Sequence, residues 1–338
     1  MPHHHRVTPA GSAWRALPVL CALLVTAPTL AQDSAFPNRP IKVIVPYAPG
    51  GGTDTSARLF ADKTGKLLKQ TLVVENKPGA GGQIAAVFVK QSEPDGYTLL
   101  WGGSTQSVVT PLLEKNITYD PVKDFTTVGL GTTYDLVLVV PASSPVRSLQ
   151  QLITDMKTPG KYVTYGSSGV ATPVHIAAAA LSSLAGGNAQ PVQYKGSGPA
   201  LQDLLAGRLS FSFDTVAGVV QHIRTGKLVP LTALTQTRIK ALPDVPTAVE
   251  AGMPSMMQFR WQFWQALQAP SRTPRPVVQK LNEAMRQVST DPDLLAKLDT
   301  LGLHLMPQLT PQEADDLVQK DIAAFKALMT KVDLKEAR

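Results

Sequence analysis

The stretch IKVIVPYAPGGGTDTSAR, from Ile41 to Arg58, ends an apolar β-branched run in a proline- and glycine-rich turn and then enters a helical pattern. In chemical terms it is an anion cradle. A turn that leads into a helix N-terminus gathers backbone N–H groups with no helical partner, and their partial positive charge holds a carboxylate or phosphate without Lys or Arg. Pro46 and Pro49 end the strand, and Gly50, Gly51 and Gly52 open backbone conformations closed to other residues. Thr53 or Asp54 has the chemistry of an N-cap for a helix opening at Thr55.

Nucleotide sites and nucleophilic catalysis use similar turns, and each leaves its own signature. GAGGQI at 79–84 follows a strand and opens a helix, yet Ile84 stands where a dinucleotide fingerprint needs its third glycine, so the segment reads as a tight turn. Gly166-Ser167-Ser168-Gly169 and Gly196-Ser197-Gly198 both lack the GxSxG spacing of a nucleophile elbow. Neither Gly65-Lys66 nor Gly226-Lys227 completes a P-loop. His175, His222 and His304 are far apart and form no HxxxH or HExxH pair, so no metal or cofactor is expected. An anion site without nucleophile, paired base or metal points to binding rather than turnover.

The first 31 residues say where the protein works. Arg6 and Arg15 precede an apolar run from Ala16 to Leu30, and Thr29-Leu30-Ala31 supplies the small residues of a cleavage site before Gln32, the pattern of a secretory signal peptide. The run, about 15 residues, is shorter than the roughly 20 that span a bilayer, so a soluble periplasmic product is expected. Cys21, the single cysteine, lies in this run without the small preceding residue of a lipoprotein site, so the mature chain should have no disulfide, thiol chemistry or cysteine metal site. His3, His4 and His5 leave with the leader. Losing Arg6 and Arg15 lowers the formal charge from +7 to +5, and the remaining Lys and Arg are scattered singly. That is not the clustered basic face of a nucleic-acid binder, only a diffuse attraction for small anions.

Removing the leader from 338 residues leaves 307, enough for two domains. Strand-length apolar runs at 41–45, 71–75, 97–101, 126–130, 134–140, 162–166, 190–194, 209–213 and 229–235 alternate with helical patterns, among them 54–69, 104–113, 172–185, 198–206, 216–225, 246–251, 274–288 and 310–330. Such alternation predicts an α/β protein whose sheets are covered by helices. The extended pieces 134–140 and 259–270 are what a chain needs to leave one domain and return to it. The expected organisation is a first domain of 36–137 plus 262–338, interrupted by a second at 138–261, with a ligand cleft between them beyond the strand ends.

The mature chain is also similar to one family along its whole length. FPNRPIKVIVPYAPGGGTDTSAR at 36–58, ENKPGAGG at 75–82, DGYTLLWG at 95–102, TYDPVKDF at 118–125, YGSSGVATPVH at 165–175, VQYKGSGPALQDLLAGRLSFSFD at 192–214 and LPDVPTAVEAG at 242–252 resemble, in order, the tripartite tricarboxylate transporter substrate-binding proteins, the Bug or TctC family. The resemblance implies a type II periplasmic binding protein fold, with parallel or mixed sheets in two domains joined by two crossover segments. It implies a monomer, not an enzyme, that closes on a small di- or tricarboxylate or aromatic acid and delivers it to a membrane permease. A ligand carboxylate would be pinched between a loop of each domain, partly through ordered water.

Carried onto these residues, the first jaw runs from Tyr47 through Pro49 to Asp54, with N–H donors at Gly51, Gly52 and Thr53 and with Asp54 capping the helix. Gly103, Ser104 and Gln106 would line the same side. The second jaw is Ser167, Ser168 and Gly169, then Ala171 and Thr172, with His175 one turn inside the helix. Tyr194, Lys195 and Gly196 form a third contact. Asp214 ends an apolar strand and would face the cleft, selecting a donor on the ligand or orienting a water, and Trp264 stands where the family has an aromatic. A packed structural His175, a solvated Lys195 and a core Trp264 are the alternatives at those positions.

Two departures from the family pattern lie near the expected cleft: Ala171-Thr172 for a common Gly-Ser, and Trp264-Gln265-Ala266 for a common Trp-Tyr-Gly. Trp101, Phe259, Trp261, Phe263 and Trp264 are compatible with flat walls for an aromatic acid, or with packing alone. Hinge closure about 136–140 and 262–267 is the expected mechanism. The rival classes are a secreted organic-acid hydrolase or isomerase on a similar frame and a receptor for a membrane sensor.

Overall fold

The computed structural model describes residues 1–5, 36–114, 116–258 and 263–329. Met1–Ala35 and Phe36–Arg338 are separate compact units, and the second carries everything below. The expected leader and its cleavage site fall at 6–35, outside the described residues.

Strands β1 (Ile41–Val45), β2 (Leu72–Asn76), β3 (Thr98–Gly103), β4 (Phe125–Tyr134), β5 (Leu136–Pro141), β6 (Thr164–Ser167), β7 (Gln190–Gln193), β8 (Phe211–Thr215), β9 (Leu228–Ala233), β10 (Phe263–Pro270) and β11 (Leu303–Leu305) form two sheets. The first runs β11-β4-β10-β3-β1-β2 and the second β7-β6-β8-β5-β9. Each sheet with its covering helices is called a lobe here, lobe 1 and lobe 2. β1 is parallel to β2 and β3, and β6 is parallel to β7 and β8, whereas β10 and β5 pair antiparallel to their neighbours. Both sheets are therefore mixed, an α/β architecture as expected.

β1 shows how sequence becomes position. Ile41, Val43, Ile44 and Val45 are at most 2% exposed, as a central strand covered on both faces requires. Burying such side chains contributes about 1.5–3 kcal/mol each and holds the following turn at the edge of a rigid sheet. The chain passes from the first sheet to the second across one residue, Asp135, and is in the first sheet again at Phe263. Asp135 Oδ2 pairs with His304 Nε2 at 2.7 Å and its carbonyl accepts from Val216 N–H at 3.1 Å, which ties the crossing to both lobes.

Some expected elements change. The runs foreseen at 126–130 and 134–140 are one ten-residue strand and a second strand, divided at Asp135 where the chain changes sheet. The helix foreseen at 246–251 is a series of turns, and the short β11 had no pattern long enough to announce it. No helix among the described residues is long and apolar enough to cross a membrane.

Candidate ligand-binding site

Four segments, distant in sequence, bring helix N-termini to one small cavity. The first is the turn after β1. Gly51 is extended (φ −86°, ψ 171°) and caps the helix Gly52–Leu68, so the helix opens three residues before the expected Thr55 and neither Thr53 nor Asp54 is its cap. The Asp54 carboxylate is engaged elsewhere: it accepts from Gly50 N–H at 3.2 Å, from Arg58 at 2.9 and 3.0 Å and from Asn76 Nδ2 at 2.9 Å. Burial pushes this carboxyl up, but the bonds from Arg58, Asn76 and Gly50 outweigh it and hold it below the usual carboxylate range. Its charge is thus satisfied inside lobe 1. The N–H groups of Gly52 and Thr53, which no carbonyl of their own helix can reach, border the cavity.

Buried amides fix the neighbouring hydroxyls. Gln106 Nε2 donates to Tyr47 Oη at 2.9 Å and to Gly81 O at 3.1 Å. Gln265, 2% exposed on β10 at a register shift against β4, donates from Nε2 to Thr53 Oγ1 at 3.0 Å.

The other three segments belong to lobe 2. After β6, Ser168 Oγ donates to Thr172 Oγ1 at 3.0 Å, and Thr172 Oγ1 donates to Gly169 O at 2.7 Å. Thr172 also caps the helix Pro173–Leu184 by accepting from His175 N–H at 3.4 Å. Ser197 opens the helix Ser197–Leu205, and Thr215 caps Val216–Arg224 by accepting from Gly218 N–H at 3.3 Å. Asp214 lies behind these two hydroxyls, 3% exposed, accepting from Thr215 N–H at 2.7 Å and from the Ser197 hydroxyl. Burial pushes its carboxyl up to about 6 against those bonds, and among the described residues no ion pair offsets the burial.

The jaws touch. Ala48 N–H donates to Lys195 O at 3.0 Å. A Cβ on Gly198 would lie 2.2 Å from Pro49 O, and one on Gly52 would lie 2.2 Å from Thr215 Oγ1. Between them remains a cavity of about 30 Å³ lined by Tyr47, 51–54, Tyr134, Ser168, 172–174, Ser197 and Thr215. A water needs about 10–15 Å³ on this scale, so the space suits the two oxygens of a carboxylate. Among the described residues, no Lys, Arg or His lines it. Burial raises the phenols of Tyr47 and Tyr134, so both stay protonated donors.

A wider cavity of about 310 Å³ adjoins the small one, sharing Tyr47 and Ser168 and adding 79–83, Glu114, Gly169, Val170 and 193–195. Tyr194 and Lys195 belong to this outer space. Tyr194 Oη donates to Asp203 at 2.7 Å, and Lys195 gives its carbonyl to the jaw contact while its side chain is exposed. An open groove of about 610 Å³ between the Gly52–Leu68 helix and β2 lies on another face, bordered by Arg58, Lys66 and Lys69.

The structure brings Tyr47, Gly51, Gly52, Thr53, Asp54, Ser168 and Thr172 together on the small cavity, with Pro49 and Gly196 at the seam between the jaws. Ser167, Gly169 and Ala171 shape the second loop, Ala171 at a left-handed φ of 60°. Other expected contacts lie elsewhere. Gln106 stands behind Tyr47. Gly103 and Ser104 pack on the returning strand, Ser104 Oγ accepting from Trp264 N–H at 2.8 Å. Trp264 is 3% exposed, donates to Asp321 Oδ2 at 2.6 Å and with Ser104 lines an apolar cavity of about 270 Å³ against Phe325. His175 is 1% exposed, with Nδ1 accepting from Gln193 Nε2 at 2.9 Å and 3.0 Å from Ser167 Oγ, packed edge-on to Tyr165.

Trp101 and Trp264 do not wall the cavity: Trp101 packs on Phe60, and Trp264 is core. Its aromatic rings are Tyr47 and Tyr134, the latter stacked on Phe263, and Phe259 and Trp261 lie outside the described residues. Sequence reading missed Tyr134, Pro173, Val174, Ser197 and Thr215, whereas Gln265, noted as a departure near the expected cleft, stands behind Thr53. For Ser197 and Thr215 a signal exists, a hydroxyl residue at or near the C-terminal end of a strand and at the start of a helical pattern.

Compared with known proteins, residues 56–334 match the family described as tripartite tricarboxylate transporter family receptor. The periplasmic binding protein BugD has a similar structure, with a TM-score of 0.82 at 29% identity over 88% of this chain and 98% of that one. MatC from Rhodopseudomonas palustris with bound malate gives 0.78 at 33% identity over 86% and 99%. An R. palustris protein with adipate gives 0.81 at 29% identity over 87% and 97%.

Proposed function

The chain belongs to the tripartite tricarboxylate transporter receptor family, and from that premise we propose a periplasmic receptor that closes on a small organic carboxylate and delivers it to the membrane subunits of its transporter. One observation carries this reading: four helix N-termini converge on a carboxylate-sized cavity that, among the described residues, no cationic side chain lines. Each such end favours an anion by about 0.3–1 kcal/mol at the surface and more when buried. Malate and adipate in the relatives make dicarboxylates the first candidates. Their second carboxylate would extend into the 310 Å³ cavity beside Lys195.

In this reading 36–137 with 262–338 is one domain and 138–261 the other, hinged where the chain changes sheet at Asp135 and where it returns near 262. The protein is exported by its leader, cleaved after Ala31, and works as a monomer. Titration calorimetry and thermal shift against dicarboxylates, tricarboxylates and aromatic acids test it. One-site binding is expected, with about 2.7 kcal/mol of added stability at 100 times Kd. Conversion of the bound acid by the purified protein would overturn the reading in favour of an enzyme.

A further inference from the structure

Both jaws line the small cavity with hydroxyls, but the protons of those hydroxyls are committed differently. In lobe 1, the buried amide of Gln265 donates to Thr53 Oγ1, which keeps its own proton to give, and Tyr47 Oη accepts from Gln106 beside a second bond with the Thr105 hydroxyl. Lobe 2 is the reverse. An ionised carboxylate can only accept, so the Ser197 and Thr215 hydroxyls both give their protons to Asp214, Thr215 Oγ1 over 3.4 Å. Thr172 gives its one proton to the Gly169 carbonyl, so the proton of the Ser168–Thr172 bond is that of Ser168. Ser168, Ser197 and Thr215 therefore turn oxygen lone pairs, not protons, toward the cavity.

We propose that the ligand carries a hydrogen-bond donor, a hydroxyl or ammonium, on the carbon beside its captured carboxylate, and that Asp214 is the positioning residue that sets this preference by holding the proton of Ser197. The small cavity takes little more than the carboxylate and shares Tyr47 and Ser168 with the wider one, so a donor that meets these oxygens from its mouth sits on the carbon beside the carboxylate. A ligand lacking the donor would leave buried acceptors unpaired, each at about 1–3 kcal/mol. This inference rests on carboxylate capture in the same cavity.

The test is calorimetry with matched acids that differ by one hydroxyl: malate against succinate, and mandelate against phenylacetate, with aspartate as the ammonium probe. The wild-type protein should bind the 2-hydroxy or 2-amino member of a pair about tenfold or more tightly. In Asp214→Asn the amide can donate to Ser197 and release its proton toward the cavity, so the preference should collapse toward one while the deoxy acid keeps or gains affinity. Ser197→Ala removes an acceptor from the cavity together with one of the bonds Asp214 receives, and should weaken the hydroxy acid more than its deoxy partner. Equal affinities within each pair in the wild type would overturn the inference and leave carboxylate capture standing. Parallel loss of both members in a folded Asp214→Asn would overturn the role of Asp214. Failure of every acid to bind would overturn the carboxylate reading itself and the inference with it.

Discussion

The two jaws carry similar residues and opposite polarity. Glycines and hydroxyls line the cavity from both sides, yet uncharged amides stand behind Tyr47 and Thr53 in lobe 1, and a carboxylate and a carbonyl stand behind the hydroxyls of lobe 2. What a hydroxyl offers a ligand is thus decided one layer back, by the buried group that has already claimed its proton or its lone pair. A comparison of lining residues alone would find the jaws alike.

The most severe way to break the arrangement is Gly52→Asp. Its side chain would meet Thr215 Oγ1, where even a Cβ falls 2.2 Å away, and would add a negative charge to a carboxylate site. Calorimetry should show a loss of about 100-fold or more, since an unpaired buried charge costs several kcal/mol.

The next test separates the jaws by pH. Lobe 2 depends on an ionised Asp214 and lobe 1 on amides that do not titrate. Asp214 rises to about 6, and Tyr134, whose charge would couple to it, stays neutral throughout. A carboxyl raised by folding contributes stability that is fully present below its unfolded value, about 3.9, and is lost as pH rises through about 6. Asp214→Asn removes that loss, so its stability relative to wild type should grow by about 2–3 kcal/mol between pH 4 and 7, read by denaturant unfolding. Over the same range the wild-type preference for hydroxy acids should appear as pH rises. A pH-independent difference would detach Asp214 from the polarity of lobe 2.

Gly198→Ala sharpens the comparison differently, because its Cβ would strike Pro49 O only when the jaws meet. Affinity should fall about 10–100-fold from an overpacked contact, with the melting temperature of the free protein little changed. Gln265→Leu removes the amide behind Thr53 and should weaken every acid about fivefold without changing selectivity, the cost of that one hydrogen bond, while the loss of its acceptor for Ser56 and Thr132 lowers the melting temperature. The smallest effect belongs to Ala171→Gly. Relief of a left-handed backbone at φ 60° should stabilise the protein by about 0.5–1 kcal/mol in thermal unfolding.

Where the sequence pattern was local, it located structure well. The β-branched run placed β1 at 41–45, and the glycine turn placed the start of the following helix to within three residues, because apolar periodicity and backbone freedom are properties of neighbouring residues. The cap went wrong for the opposite reason. Asp54 has the chemistry of an N-cap, but Arg58 and, across 22 positions, Asn76 hold its carboxylate, and Gly51 takes the cap instead. Ser197 and Thr215 escaped notice because only the strand orders of the two sheets bring them to the cavity, and strand order is not written in spacing. Trp264 shows the converse: an aromatic in the right segment whose ring turns to Asp321 and the core.

The bond from Ala48 N–H to Lys195 O is main chain on both sides, and around it the tightest approaches are made by Gly196 and Gly198. A seam of backbone is indifferent to most substitutions. Natural variation can therefore rewrite the pocket hydroxyls and the layer behind them, and so change the diet of the receptor, while the outline of the joined jaws stays the same.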